Sequence, residues 1–382
     1  MKFDFVVLAA NGIQGKIASR DLLESGFSVL MCANDDYKMD RLIEHKNSDF
    51  ALVDLRKTDR LKRIIKKSGA NVIVNCAIDT FDLPAMKACL DLGIHHIDLG
   101  SEWDMTKEQW ALDKECKEKS ITCITGCGST PGINNIMLRY AQEKFDTIDT
   151  VQAGFVWDSN IAKFVTPFSL ETIVEELVEK APIYEHGHLI EKNPDDCDIA
   201  YYFKSVGKQK VCFTKHIEVH TFHQYLKNKG VKNIAFFSGF PSHSARAMKT
   251  LIELGLAAKN EIEFQNIKVK PIDFISEVVR HLEIPDGYEE KENLWVKIWG
   301  KKGDKDLVVE MDCVASTLPG WESDTCNIDT GMPASIIAQM IKDGRIAERG
   351  SFTPEEVIPP LPFFEELAKR KIWVYENDTK IN

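Results

Sequence analysis

The stretch Phe5-Val6-Val7-Leu8-Ala9-Ala10-Asn11-Gly12-Ile13-Gln14-Gly15 limits what this chain can become more than any other. Phe5 to Ala9 is an unbroken apolar run and reads as a fully buried strand. Ile13, Ile17 and Leu22 then recur at helical spacing, and Gly26 closes the helix. A strand, a tight glycine turn and a helix in this order make the βα unit that holds a dinucleotide. Gly12 has no Cβ, so the backbone can approach a pyrophosphate. Gly15 lets the helix pack closely on the strand, and the helix N-terminus offers N–H groups and partial positive charge. Ala10 stands where the first glycine of the fingerprint usually sits. An ordinary βα turn is the competing reading. The flanking elements, and an acid at the right distance, decide for cofactor binding by Asn11, Gly12, Ile13, Gln14 and Gly15.

That acid lies at the end of the second strand, Ser28 to Ala33, which runs into Asn34-Asp35-Asp36. Asn34 and Asp35 fall about twenty residues past the turn, where an acid meets the adenosine ribose. No Arg or Lys stands directly beside them, which favours NAD and leaves NADP as the alternative. Capping of the next helix by Asp35 and Asp36 is the other reading. Phe50 to Asp54 is a third strand, with Asp54 towards the adenine, and Leu61 to Lys67 a helix. Val72 to Ala77 is a fourth strand, and Cys76, Ala77 and Ile78 lie where a nicotinamide would pass. A helix from Pro84, a strand at His95 to Gly100, a helix from Thr106 to Lys119 and a strand at Thr122 to Thr125 follow. The alternation predicts an α/β fold, a doubly wound parallel sheet of the Rossmann type.

With 382 residues, 44% of them hydrophobic, the chain can build more than one core. A net charge of −11 argues against a nucleic-acid partner or an anionic membrane surface. Ten cysteines without a CxxC pair read as reduced thiols, and with no targeting segment in view a cytoplasmic protein is expected. No apolar run approaches the roughly 20 residues of a membrane span.

Gly126-Cys127-Gly128-Ser129-Thr130-Pro131-Gly132-Ile133-Asn134-Asn135 is the second informative stretch. Its glycines and proline force a sharp turn, and the helix from Ile133 to Lys144 would point its N-terminus at a cleft, ready for a carboxylate or phosphate. A domain-linking turn is the plainer reading. Beyond Val151 the pattern changes. Strand-like alternation appears at Val151 to Trp157, Ile199 to Phe203, Val211 to Val219 and Ile234 to Phe237. Tyr184 to Leu189 reads as a hairpin, Met248 to Leu256 as a helix, and Leu294 to Trp299 with Leu307 to Ala315 as a second hairpin. In the tail, Pro333 is expected to open a helix that Gly344 ends, and Thr353-Pro354-Glu355-Glu356 is a capping box.

Four segments together resemble the saccharopine dehydrogenase family, which includes saccharopine reductases and L-lysine 6-dehydrogenases. They are AANGIQG, VNCAIDTFDLPAMKACLDLGIHHIDLGSE, GCGSTPGINN and DTGMPASIIAQMIKDGRI…GSFTPEEVIPPLPFFEEL. The resemblance runs over nearly the whole chain. It implies a dinucleotide-binding domain at residues 1–130, an α+β substrate and dimerisation domain with a mixed sheet at 131–330, and a helical tail at 331–382 that returns to the first domain. It also implies a homodimer and hydride transfer between a nicotinamide and the carbon of a CH–NH group in a small amino-acid substrate, by way of an imine. Saccharopine or lysine leads the substrate class, with related amino acids and polyamine precursors behind.

The resemblance carries over residue by residue. Asp98 and Glu102 match the family's Asp-Leu-x-x-Glu and are candidate acid–base groups, with helix capping or a loop ion pair as the plainer reading. Thr130 and Asn134 are candidate substrate contacts in the glycine turn. His243 matches the histidine of a Tyr-Pro-Gly-His segment in lysine dehydrogenases. Those enzymes carry an arginine before the aromatic, whereas Gly239 precedes Phe240 here, so Arg246 is the substitute cation. His216, His220 and His223 suggest a metal, but the spacing puts only two on one strand face, so ordinary strand histidines are expected and no metal. Cys123 and Cys127 read as core or turn residues. A nucleotide-binding protein that has lost catalysis stands as the second hypothesis.

Overall fold

A computed structural model describes residues 2–36, 39–100, 102–166, 168–197 and 199–382. Strands β1 (Phe5–Leu8), β2 (Val29–Ala33), β3 (Ser48–Leu52), β4 (Val72–Asn75), β5 (His95–Asp98) and β6 (Thr122–Ile124) form one parallel sheet in the order 6-5-4-1-2-3. The order reverses between β1 and β4, and a crevice opens at their carboxyl ends. Every residue of β1, β2 and β4 is buried, which is why these strands read as continuous apolar runs.

The second sheet is mixed. It contains β7 (Thr147–Ser159), β8 (Ala181–Glu185), β9 (His188–Lys192), β10 (Ile199–Phe203), β11 (Gly207–Phe213) and β12 (Asn233–Gly239). The hairpin β13 (Ile262–Phe264) and β14 (Ile267–Val269) stands apart, and β15 (Glu290–Lys302) and β16 (Lys305–Ser316) return to the sheet. β7 pairs in parallel with β12 and antiparallel with β15. The tail then touches both sheets. β17 (Gly350–Phe352) adds in parallel beyond β6, whereas β18 (Trp373–Glu376) pairs with β16 and then with β19 (Thr379–Lys380). Between them, helix Ile328–Lys342 lies on helix Ile13–Glu24 so closely that a Cβ at Gly331 would stand 2.5 Å from Ile17 Cβ.

Several elements differ from the sequence expectation, each for a tertiary reason. Strand 211–219 stops at Phe213, and helix Glu218–Leu226 follows. Val219, Phe222 and Leu226 form a helical stripe and are fully buried. The long helix from Thr106 divides into Trp103–Trp110 and Asp113–Glu118. The second piece is tied to the tail, because Asp113 accepts the Ser351 N–H at 3.1 Å. Pro333 lies inside its helix rather than opening it. As the sixth residue of the helix it removes one ladder bond, the N–H that would meet the Asp329 carbonyl. The third strand ends at Leu52, which leaves Asp54 in the following loop. At Thr353 the capping box is present: the Glu356 carboxylate accepts the Thr353 N–H at 2.8 Å and its hydroxyl at 3.0 Å.

Candidate functional site

The glycine turn is shaped by backbone contact. A Cβ at Gly15 would stand 2.3 Å from the Ala9 carbonyl oxygen and 2.7 Å from Ala10 Cα, so only glycine fits. Gly12 is the N-cap of helix Ile13–Glu24 and has no side chain to occupy the first-turn N–H groups. The left-handed residue of the turn is Ala9, at φ 52°, and not Ala10. Alanine at the first fingerprint position therefore strains nothing, and the cost of roughly 1 kcal/mol falls one residue earlier. Asn11 clasps the turn to the end of β2, its Nδ2 donating to Asn34 Oδ1 at 3.0 Å and Asp35 Oδ1 at 2.9 Å. Gln14 Nε2 donates to Asn327 Oδ1 at 3.0 Å, which joins the turn to the tail. After β4, the Cys76 N–H donates to the Leu8 carbonyl, the Ala77 N–H to Asn75 Oδ1, and Ile78 is 65% exposed at the rim. Asp54 binds Arg56 through both carboxylate oxygens. Asn11 to Gly15, Asn34, Asp35, Asp54 and Cys76 to Ile78 thus lie along the carboxyl ends of four adjacent strands, and the turn fits a dinucleotide.

Asp98 stands differently from the expected proton carrier. It is buried, and its oxygens are taken by Gln109 Nε2 at 2.6 Å and the Gly126 N–H at 3.2 Å. It holds β5 to the second glycine turn. Glu102, half-exposed at the N-cap of Trp103–Trp110, faces the other half of the molecule, where Lys215 Nζ lies 3.4 Å away and reaches Glu179 at 2.9 Å. Thr130 is half-buried in the turn, and its neighbour Ser129 meets the Thr330 hydroxyl at 2.8 Å. Asn134 also departs from the expectation. It is fully buried and donates to the Gly154 carbonyl at 3.1 Å, so it ties helix Ile133–Gln142 to β7. Its neighbour Asn135 closes the turn by accepting the Gly132 N–H at 2.8 Å.

In the interior of the second half stand acids that the sequence does not mark. Glu292 on β15 faces Asp329 at the start of helix Ile328–Lys342, and Glu176 comes from helix Leu170–Val178. Burial pushes Asp329 up to about 8, with Glu290 adding to the rise against the hydrogen bonds of Thr330 and Glu292. Burial likewise raises Glu176 to about 8, opposed by His216 and helped by Glu218 and Glu175. Glu292 is raised by burial and then by the Asp329 and Glu290 carboxylates. Asp329 Oδ2, Glu176 Oε2 and Glu218 Oε1 have no hydrogen-bond partner among the described residues. Trp157, directly across the strands from Glu292, also leaves its buried indole N–H unpartnered. In sequence Glu176 and Glu292 are lost among other charges, in Glu175-Glu176 and Glu289-Glu290-Lys291-Glu292, and nothing marks the four acids as neighbours.

His243 and Arg246 lie elsewhere. His243 Nε2 is 3.5 Å from the Ser159 hydroxyl at the end of β7. Both residues line a shallow apolar groove with Phe164, Ile275 and Val278. No contact among the described residues joins them to Asp98 or Glu102. The three other histidines are not strand residues. His220 and His223 sit on helix Glu218–Leu226, stacked on Trp103 at 4.7 Å and Tyr184 at 3.8 Å, and His216 precedes that helix. Cys123 and Cys127 are buried.

Comparison with known proteins now decides the family. Residues 5–124 match the saccharopine dehydrogenase NADP binding domain, and residues 119–372 match the saccharopine dehydrogenase C-terminal domain. The chain belongs to the saccharopine dehydrogenase family. Like other members of that family it is an NAD(P)-dependent oxidoreductase. Carboxyaminopropylagmatine dehydrogenase from Synechocystis is 23% identical, with 95% of each chain covered. Carboxynorspermidine synthase from Vibrio alginolyticus is 24% identical over 84% of this chain and 81% of its own. Saccharopine dehydrogenase (L-Glu forming) from Saccharomyces cerevisiae shares the fold at TM-score 0.76 and 12% identity, with both chains covered completely. A homospermidine synthase from Legionella pneumophila, solved with NAD, gives 0.71 at 14% identity over 99% of this chain and 92% of that one. Among the described residues no helix is long and apolar enough to cross a membrane.

Proposed function

We propose that this family member transfers hydride at the secondary-amine C–N bond of a carboxylated polyamine. The observation that carries this reading is the set of buried acids Glu176, Glu218 and Asp329, each with one carboxyl oxygen that meets no donor among the described residues, together with Glu292 beside Asp329. Buried acids without partners are costly until a cation meets them. A polyamine presents several ammonium or guanidinium groups at chain spacing. Saccharopine, with three carboxylates, would meet repulsion in the same cleft. Of the two curated relatives, one by name dehydrogenates carboxyaminopropylagmatine and the other forms carboxynorspermidine.

In this reading Asn11 to Gly15 hold the pyrophosphate, Asn34 and Asp35 the ribose, and Cys76 to Ile78 border the nicotinamide. The cofactor supplies the hydride chemistry. Carboxylates at the ribose edge, with Arg56 engaged by Asp54, support NAD over NADP. Lys215 is the counter-charge for the substrate carboxylate, with Thr130 in the facing turn. The expected homodimer remains part of the reading, and sedimentation velocity tests it.

The test is turnover of NAD and NADP with carboxyaminopropylagmatine, carboxynorspermidine, saccharopine and lysine, followed by absorbance of the reduced cofactor. Turnover of either polyamine at a kcat/KM at least tenfold above the amino acids is expected. Faster turnover of saccharopine or lysine overturns the proposal.

A further inference from the structure

His216 lies in the link between β11 and helix Glu218–Leu226, and two contacts of its own hold it, with Lys215 anchored beside it. Its Nδ1 is hydrogen-bonded to a carboxylate oxygen of Glu218. Its ring lies flat on Phe236, with centroids 4.0 Å apart and planes 11° from parallel. The preceding Lys215 is anchored to Glu179 in its own half and to Glu102 in the nucleotide-binding half. Nε2, in contrast, has no partner among the described residues, and 9% of the side chain remains exposed. Glu218 is itself fully buried. An imidazole whose Nδ1 is held by a buried carboxylate and whose Nε2 is open is oriented to carry a proton.

We propose that His216 is the acid–base residue for the reacting nitrogen of the substrate, and that Glu218 positions it. The assignment rests on the amine chemistry proposed above. In the oxidative direction a substrate ammonium N–H bond breaks. Its electron pair stays on the substrate nitrogen, the proton bonds to His216 Nε2, and the imidazolium charge faces Glu218. In the reductive direction the same proton returns to nitrogen. Neighbouring elements contribute Glu176 from helix Leu170–Val178 and Glu102 from the start of helix Trp103–Trp110, with Lys215 and Glu179 beside them. Burial works to lower the imidazole's affinity for a proton, but Glu218, Glu176 and Glu102 outweigh it and leave the pKa above the ordinary histidine value. Glu102, paired with Lys215, anchors the arrangement.

The test compares wild type with His216→Gln and Glu218→Gln on the best amine substrate of the wild type. Glutamine keeps a hydrogen bond to Glu218 but cannot carry a proton. For His216→Gln, kcat is expected to fall at least about 100-fold. NAD(P) affinity should stay within twofold, and the acidic limb of the kcat/KM–pH profile should disappear. Glu218→Gln should fold normally and move that limb to lower pH. An unmoved limb in either variant, or His216→Gln keeping a third of wild-type kcat, overturns the assignment. Should the wild type turn over lysine or saccharopine and no polyamine, the substrate reading fails while the same profiles on that substrate still decide His216. A wild type inactive on every amine sinks both.

Discussion

The two halves of the cleft are built from different materials. On the nucleotide side the site is backbone: N–H groups of a helix start, a turn that excludes a Cβ at Gly15, and short strands whose carboxyl ends align. On the other side it is side chains. Glu176, Glu218, Glu292 and Asp329 come from three helices and a strand, and none is near another in sequence. A backbone site demands particular residues at particular places and leaves a motif. A side-chain site needs only the right groups to meet in space, so it leaves none. In the proposed reading the glycine side recognises what every member of a cofactor class shares, and the acid side what distinguishes one substrate.

The contrast can be broken most directly at Gly15. A valine there meets the Ala9 carbonyl within 2.3 Å at Cβ alone. Cofactor affinity should drop more than about 100-fold by fluorescence titration of the reduced cofactor, if the turn survives at all. Unchanged affinity would remove the turn from the site. Next in size is Asp329→Asn combined with Glu292→Gln. KM for the polyamine should rise roughly tenfold to a hundredfold, with cofactor affinity little changed, since each desolvated charge pair is worth a few kcal/mol. A rise in cofactor Kd instead would mean that the acids serve the nucleotide.

Proton linkage separates the halves more finely. Glu176 and Asp329 have folded pKa values raised to about 8, so both are largely protonated at neutral pH in the free protein. A bound cation requires them ionised. Substrate KM should therefore fall as pH rises from about 6 to about 9, and Glu176→Gln should flatten the curve. The same shift acts on folding. For a carboxyl whose folded pKa is raised, the stability contribution is complete below the unfolded pKa and is lost as pH rises through the folded one. The melting temperature of the ligand-free protein should thus decline from about pH 5 to about pH 8 and recover when a polyamine is added. A flat melting profile would contradict the burial of these acids.

The smallest effect lies outside both sites. Thr353→Ala removes one hydrogen bond of the capping box in the tail and should cost about 1 kcal/mol. Thermal melts should show a shift of a few degrees at most, and kcat should not change. A large loss of activity would assign the tail turn more than a supporting part.

Much of the first half was legible because its rules are local. The buried strands appear as apolar runs, the helix as a 3.6-residue stripe, and the cofactor turn as glycines that no other residue replaces. The family resemblance extended that reading over the rest of the chain. The misreadings share one cause. Val211 to Val219 alternates like a strand, yet Val219, Phe222 and Leu226 find a deeper burial as a helical stripe. Asp98 and Asn134 look like cleft residues from their motifs, but Asp98 gives its oxygens to Gln109 and the Gly126 N–H, and Asn134 gives its Nδ2 to the Gly154 carbonyl.

By itself, then, the sequence determined the parallel nucleotide-binding sheet, the glycine turn and the family, because local periodicity and steric exclusion act between residues close in the chain. Only the tertiary structure decided which acids meet in the interior, that His216 rests on Glu218 and Phe236, and that the tail joins both sheets. Those outcomes depend on packing between segments far apart in the chain, and no local pattern encodes which buried carboxyl groups will meet.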